Sequence, residues 1–138
     1  MTMTFDTKIA VVLRSDLPVW QKLNVTAFTA SAIAAAVDDV MGENYEDGSG
    51  NLYLPMFKQP VMVFEADAQQ IRRAYERALQ RGVKFSLFTE DLFTTGNDID
   101  NRAAVKAKKS DELMVVGMAM RDKKKTIEKV LDGLSLHK

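Results

Sequence analysis

Residues 8–40 constrain the fold more than any other stretch of the chain. Lys8-Ile9-Ala10-Val11-Val12-Leu13 is a short apolar run ending in the polar turn Arg14-Ser15-Asp16-Leu17-Pro18. Its length and β-branched content predict a buried strand. Pro18 cannot extend a central strand, so the chain turns there. Asn24 then offers an N-cap to a helix over residues 25–40. At 100° per residue Val25, Thr29, Ala32, Ile33, Ala36 and Val40 share one face of that helix, with Ala27, Ser31, Ala34 and Asp38 opposite. So many alanines let a helix lie close against a sheet, which predicts Ala32 and Ala36 at short range from it. Close packing at a strand–turn–helix corner commonly makes a site.

The remaining elements follow in alternation. Residues 41–58 lose periodicity and gather Gly42, Gly48, Gly50 and Pro55, with a turn signal at Glu46-Asp47-Gly48-Ser49-Gly50-Asn51. Tyr45, Leu52, Tyr53, Leu54, Met56 and Phe57 are too apolar for a bare linker, so this loop is expected to fold back as a core lid or a pocket wall. Residues 61–65 form a second strand, parallel in order to a third at 83–88 because a helix separates them. That helix opens on a capping box, Asp67 with Gln70. It buries Ile71, Ala74, Tyr75, Ala78 and Leu79, and stops at Gly82. Asp98 reads as the cap of a helix over 99–108. Residues 113–120 form a fourth, central strand, in which Gly117 marks a bulge or a close backbone approach, and a last helix starts at Asp122. The sum is one domain over residues 1–138: an α/β three-layer α/β/α sandwich around a central four-stranded mixed sheet.

Composition narrows the function classes. The formal net charge is +0, so the molecule as a whole has no field to steer it onto nucleic acid. No cysteine is present, which removes disulfides, thiolate metal sites and thiol nucleophiles together. The single histidine, His137, reads as part of a solvated tail and not as a catalytic base. No calcium-loop spacing occurs, so neither a metal nor a cofactor is expected. Residues 1–7 lack an apolar signal region, and no run is long enough to span a bilayer. A cytoplasmic location without membrane contact is the expectation.

Polar residues in excess of structural need mark the candidate site. Arg14, Ser15 and Asp16 with Lys22, Asn24 and Thr26 crowd the first strand–helix corner. Asn97, Asp98, Asn101 and Arg102 crowd a second helix start, where one cap would suffice and where Arg102 could fork onto a carboxylate or phosphate. Both groups follow strands of one direction, so they open on one edge of the sheet, where α/β proteins tend to bind ligands. Free N–H groups at helix starts suit an anion. Arg72, Arg73, Arg77 and Arg81 line the outer face of the second helix as a solvated face or a phosphate-binding stripe, and a lysine cluster at 123–125 invites the same two readings.

The corner Val12-Leu13-Arg14-Ser15-Asp16-Leu17, with Gln59-Pro60-Val61-Met62-Val63-Phe64, Gly82-Val83-Lys84-Phe85-Ser86-Leu87 and Met114-Val115-Val116-Gly117-Met118, resembles the type II peptidyl-tRNA hydrolases in order and spacing. The resemblance implies that fold. It matches Asp16 to an early family Asp, and Glu90 or Asp91 to an acidic residue after the third strand. The family's catalytic Lys, Gln and His fall on Leu23, Ala27 and Ala30, with Lys22 one residue away, so the activity does not carry over. Gly96-Asn97-Asp98 and Asn101-Arg102 make the chain more similar still to the uncharacterised domain of unknown function 2000 family, which resembles the hydrolase fold without its active-site motif.

Three functions are compatible with these residues. The first is binding of a small polar or anionic ligand at Arg14, Asp16, Lys22, Asn24, Thr26, Asn97, Asp98, Asn101 and Arg102. The second is hydrolysis of an ester or amide through Asp16, Lys22 and Glu90 or Asp91. The third is a homodimeric interaction protein that uses the aromatic loop at 45–57. These residues leave open whether the chain is an enzyme.

Overall fold

A computed structural model describes residues 5–138. In chain order the elements are β1 (Thr7–Arg14), α1 (Val19–Ala36), a hairpin of β2 (Tyr45–Glu46) and β3 (Leu52–Tyr53), β4 (Val61–Ala66) and α2 (Ala68–Gln80). There follow β5 (Phe85–Thr89), a 3-10 turn (Glu90–Thr94), α3 (Asp98–Lys106), a second 3-10 turn (Ser110–Glu112), β6 (Val115–Lys123), α4 (Lys124–Val130) and β7 (Ser135–Leu136).

The main sheet is mixed and has five strands in the order β5-β6-β1-β4-β7. β1 pairs parallel with β4 and antiparallel with β6, while β5 and β7 pair antiparallel with β6 and β4. The expected four strands become five because β7 is only two residues long, too short to show a period in sequence. β1 is buried on both faces. Ile9, Val11 and Leu13 join a core beneath α1, with Val25 and Ile33. Ala10 and Val12 join a core beneath α2 and α4, with Ile71, Ala74 and Ile127. The α/β/α layering of the sequence reading therefore holds. Among the described residues no helix is long and apolar enough to cross a membrane.

α1 departs most from expectation. It starts at Val19 behind Pro18 and makes no side-chain cap, so Asn24 lies inside the helix and not at its start. Val19, Trp20, Leu23 and Phe28 all stand exposed on it, and apolar residues all round a helix erase the amphipathic phase that would have located its beginning. The helix ends at Ala36, and Val40 is buried from the loop beyond it. Of the two alanines expected against the sheet, Ala32 is half-buried and Ala36 is exposed. The close approach occurs elsewhere: a Cβ on Gly117 of β6 would stand 2.2 Å from Val25 Cγ1. Gly117 also adjoins a bulge, since Phe88 faces Gly117 while Thr89 faces Val115 and Val116 is left without a partner residue.

Other local readings hold or shift by a few residues. The Asp67–Gln70 capping box is formed in both directions, and Gly82 takes φ +68 at the end of α2. Leu79 is exposed, off the buried stripe of that helix. The cap of α3 is Asn97, one residue before the expected Asp98. β6 runs on to Lys123, so the last helix starts two residues after Asp122. Met114 is exposed, unlike the core residues Met118 and Met120. The loop at 45–57 is not a core lid: it forms a hairpin with Tyr45, Leu52, Tyr53, Leu54 and Met56 exposed, and only Phe57 packs against the core.

Candidate functional site

β1 and β5 run in the same direction, so the turns that follow them open on one edge of the sheet. The sequence-predicted residues are divided among four places along that edge. Arg14, half-buried at the end of β1, donates from Nε to Asp16 Oδ1 at 2.6 Å and from Nη1 to Glu90 Oε2 at 3.4 Å. Burial disfavours its charge, and the two carboxylates outweigh that effect, so its pKa is raised. Asp91 turns the other way and pairs with Lys108 at 2.6 Å. Glu90 and Asp91 therefore do not act as a carboxylate pair.

Lys22 leaves this group altogether. Its ammonium lies 3.0 Å from His137 Nε2, while the His137 backbone N–H donates to Val63 O at 2.8 Å and Glu65 Oε2 stands 3.9 Å from the ring. An ammonium has only donors, so the imidazole accepts on Nε2 and carries its proton on Nδ1, 2.8 Å from Lys138 O. The expected solvated tail is thus fastened to β4, beside the edge strand β7. Thr26 gives its hydroxyl to Lys22 O at 2.8 Å. Asp16, Lys22 and Glu90 do not form one catalytic constellation: two share Arg14 and the third is bonded to His137.

Asn24 is brought together with the second polar group. It lines a concavity of about 430 Å³ with Asn97, Asp98 and Asn101, walled by Trp20 and Phe28 of α1 and by Phe93. A second concavity of about 720 Å³ adjoins it, sharing Phe28, Asp98 and Asn101 and adding Arg102. The two make a groove between α1 and α3. Its aromatic wall is ordered by edge-on contacts, with ring centroids 6.2 Å apart for Trp20 and Phe93 and 5.8 Å for Phe28 and Phe88. Trp20 and Phe28 nonetheless remain more than half exposed.

The polar side of the groove is partly committed. Asn97 Oδ1 accepts from the Asp100 backbone N–H at 2.9 Å as the helix cap. The Thr95 hydroxyl contacts Asn101 Oδ1 and Leu92 O. Arg102 Nε donates to Asp98 Oδ2 at 2.8 Å, and that bond and charge raise the Arg102 pKa. Arg102 is largely exposed, so it sits at the mouth of the groove and not in its floor. Asn24 is the exception: among the described residues its amide has no hydrogen-bond partner. Asn is a poor helix-interior residue because its amide competes with the backbone, so its place in α1 brings no local stabilisation.

Sequence reasoning missed the aromatic wall. Trp20, Asn24 and Phe28 recur every four residues, a spacing that puts them on one helix face. A helix that begins after Asn24 hides that signal.

The described structure is an α/β sandwich with a groove at the strand–helix edge. The chain belongs to the family described as protein of unknown function (DUF2000), whose model matches residues 7–138. It is similar to a solved structure of a protein of unknown function from Agrobacterium tumefaciens strain C58, at 46% identity and a TM-score of 0.95, covering 98% of this chain and 100% of that one. No curated protein matches it.

Proposed function

We propose that this domain binds a small polar ligand with a flat apolar portion in the groove between α1 and α3. The observation that carries this reading is Asn24, an amide in a helix interior with no partner among the described residues, which lines an aromatic-walled concavity together with Asn101. Pockets of this kind bind through apolar walls and a few placed polar groups that fix orientation. Asn24 offers both a donor and an acceptor, and the Asn101 NH2 group is left to donate. With Asp98 in the lining and Arg102 paired at the mouth, the groove suits an uncharged hydrogen-bonding group better than a bare anion.

The sole tryptophan, Trp20, lies in the groove wall and reports on it directly. Titration with benzamide should change Trp20 emission saturably, and Asn101→Ala should weaken the response at least tenfold. An emission unchanged by benzamide and by benzoate up to their solubility limits would remove this reading.

A second reading concerns the hairpin. Leu52 is 66% and Leu54 is 83% exposed, an apolar edge of the type that marks contact surfaces. Self-association through the hairpin would appear in sedimentation as a dimer lost in the Leu52→Ser, Leu54→Ser double variant.

A further inference from the structure

The opposite side of the same sheet edge holds a third concavity, of about 600 Å³, distinct from the groove. Arg14 reaches it from β1 and Arg72 and Arg73 reach it from α2, while Ile71, Leu113, Met114 and Val115 supply apolar lining. Three guanidiniums around one apolar hollow exceed what packing requires, and their bonding is unequal. Arg14 is fixed by Asp16 and Glu90 through two of its N–H groups. Arg72 is fixed by Glu76 at 3.1 Å and by Leu113 O at 3.2 Å, with its guanidinium 4.9 Å from the Tyr75 ring centroid. Arg73 makes no hydrogen bond or ion pair among the described residues. A guanidinium has five donors in a planar fork, so the two anchored arginines keep donors unspent while Arg73 keeps all of them.

We infer that this concavity is a binding site for an oxyanion carried on an apolar body, such as an aryl phosphate or an aryl carboxylate. Arg73 forks onto the anion, Arg14 and Arg72, whose charges Asp16, Glu90 and Glu76 balance, supply pre-ordered N–H donors beside it, and Leu113 and Met114 take the apolar part. Arginine matches planar, bidentate recognition of carboxylate and phosphate. Two anchored guanidiniums leave little side-chain freedom to lose on binding. Asp111, also in the lining, opposes an anion and therefore tunes the affinity downward. Ala68 and Gln69, at the start of α2, complete the lining. The exposure of Met114, an apolar side chain held open at the rim of a charged hollow, fits a ligand with an apolar portion.

Methyl-labelled methionine places a reporter in this concavity at Met114, while Trp20 reports on the groove. Phenyl phosphate and benzoate should each shift the Met114 methyl resonance saturably, with Trp20 emission unchanged by phenyl phosphate, and the stronger of the two identifies the preferred oxyanion. Benzyl alcohol, which lacks the anion, should shift it at least tenfold more weakly. Arg73→Ala should weaken binding of the stronger anion at least tenfold at an unchanged melting temperature, and Asp111→Asn should strengthen it. A Met114 resonance unmoved by both anions, or moved equally by benzyl alcohol, would overturn the assignment. So would binding that is insensitive to Arg73→Ala.

Discussion

Gly117 of β6 lies directly beneath Val25 of α1, so close that a single added methyl carbon would come within 2.2 Å of Val25 Cγ1. A contact that short forces movement of the helix or the strand, because both belong to a buried core. Gly117→Ala should therefore lower stability by about 1–3 kcal/mol, the usual cost of overpacking. Val25→Ala in the Gly117→Ala background should recover part of that loss. Urea denaturation of the two variants and the wild type checks both. Equal midpoints for wild type and Gly117→Ala would mean that α1 does not sit at this distance.

The amount of the fold legible in the sequence can be traced to particular residues. The capping box at Asp67 and Gln70, the αL stop at Gly82 and the special place of Gly117, as a bulge or a close approach, were readable because each rests on local chemistry that a short window contains. β7 and the start of α1 were not. Ser135 and Leu136 are too few to show a period, and Val19, Trp20 and Leu23 make α1 apolar where an amphipathic helix would be polar. The candidate site divided in the same way. Asn24, Asn97, Asp98 and Asn101 do meet, because they follow strands of one direction. Lys22 went elsewhere because its partner His137 is 115 residues away, a distance across which no sequence pattern speaks.

The fastening of the chain's last residues gives a second expectation. His137 links α1 to β4 through Lys22 and Val63. Its loss removes the side-chain bond and leaves the backbone bond in place. His137→Ala should cost about 1 kcal/mol, the usual net worth of one such hydrogen bond. It should also speed hydrogen exchange at the amides of β7 and the end of β4 relative to the rest of the sheet. Uniform exchange across the sheet in the variant would show that the tail is held by its strand pairing alone.

Thr89 is buried at the bulge, and its hydroxyl has no hydrogen-bond partner among the described residues. An unmade bond of that kind costs about 1–3 kcal/mol. Thr89→Val replaces the hydroxyl with a methyl group of similar shape and should raise the denaturation midpoint. A lower midpoint would show that the hydroxyl bonds to something the protein needs, such as an ordered water.

The hairpin tip should respond to pH. The Asp47 carboxylate accepts from the Tyr53 hydroxyl at 2.7 Å, from the Asn51 amide and backbone N–H and from the Ser49 N–H. These bonds, that from Tyr53 foremost, lower its pKa well below the usual carboxylate value. A depressed folded-state pKa means that the contribution is complete above the unfolded value of about 3.9 and is lost as pH falls through the lower, folded value. The hairpin should therefore loosen only in strong acid. The same bond raises the Tyr53 pKa, so its effect is complete below the unfolded tyrosine pKa and is lost as pH rises through the raised value. In an ultraviolet titration Tyr53 should ionise after a free tyrosine, and Asp47→Asn should bring it back. Tyrosine titration curves that superimpose for the two proteins would disprove the link.

Asn24 sets stability against function in one side chain. In a helix interior Leu is favoured over Asn by about 0.5 kcal/mol, and Asn24 has no partner among the described residues whose loss would offset that gain. Asn24→Leu should therefore raise the denaturation midpoint slightly while removing the polar contact from the groove. Binding sites commonly hold residues that the fold alone would not choose. The saturable effect of benzamide on Trp20 emission should fall at least tenfold in the variant, and the Met114 response to phenyl phosphate, on the other side of the sheet, should stay the same. A marked loss of stability in Asn24→Leu would give the amide a structural partner and take away the basis for the groove. A stabilised variant that still binds benzamide as the wild type does would move the ligand away from Asn24.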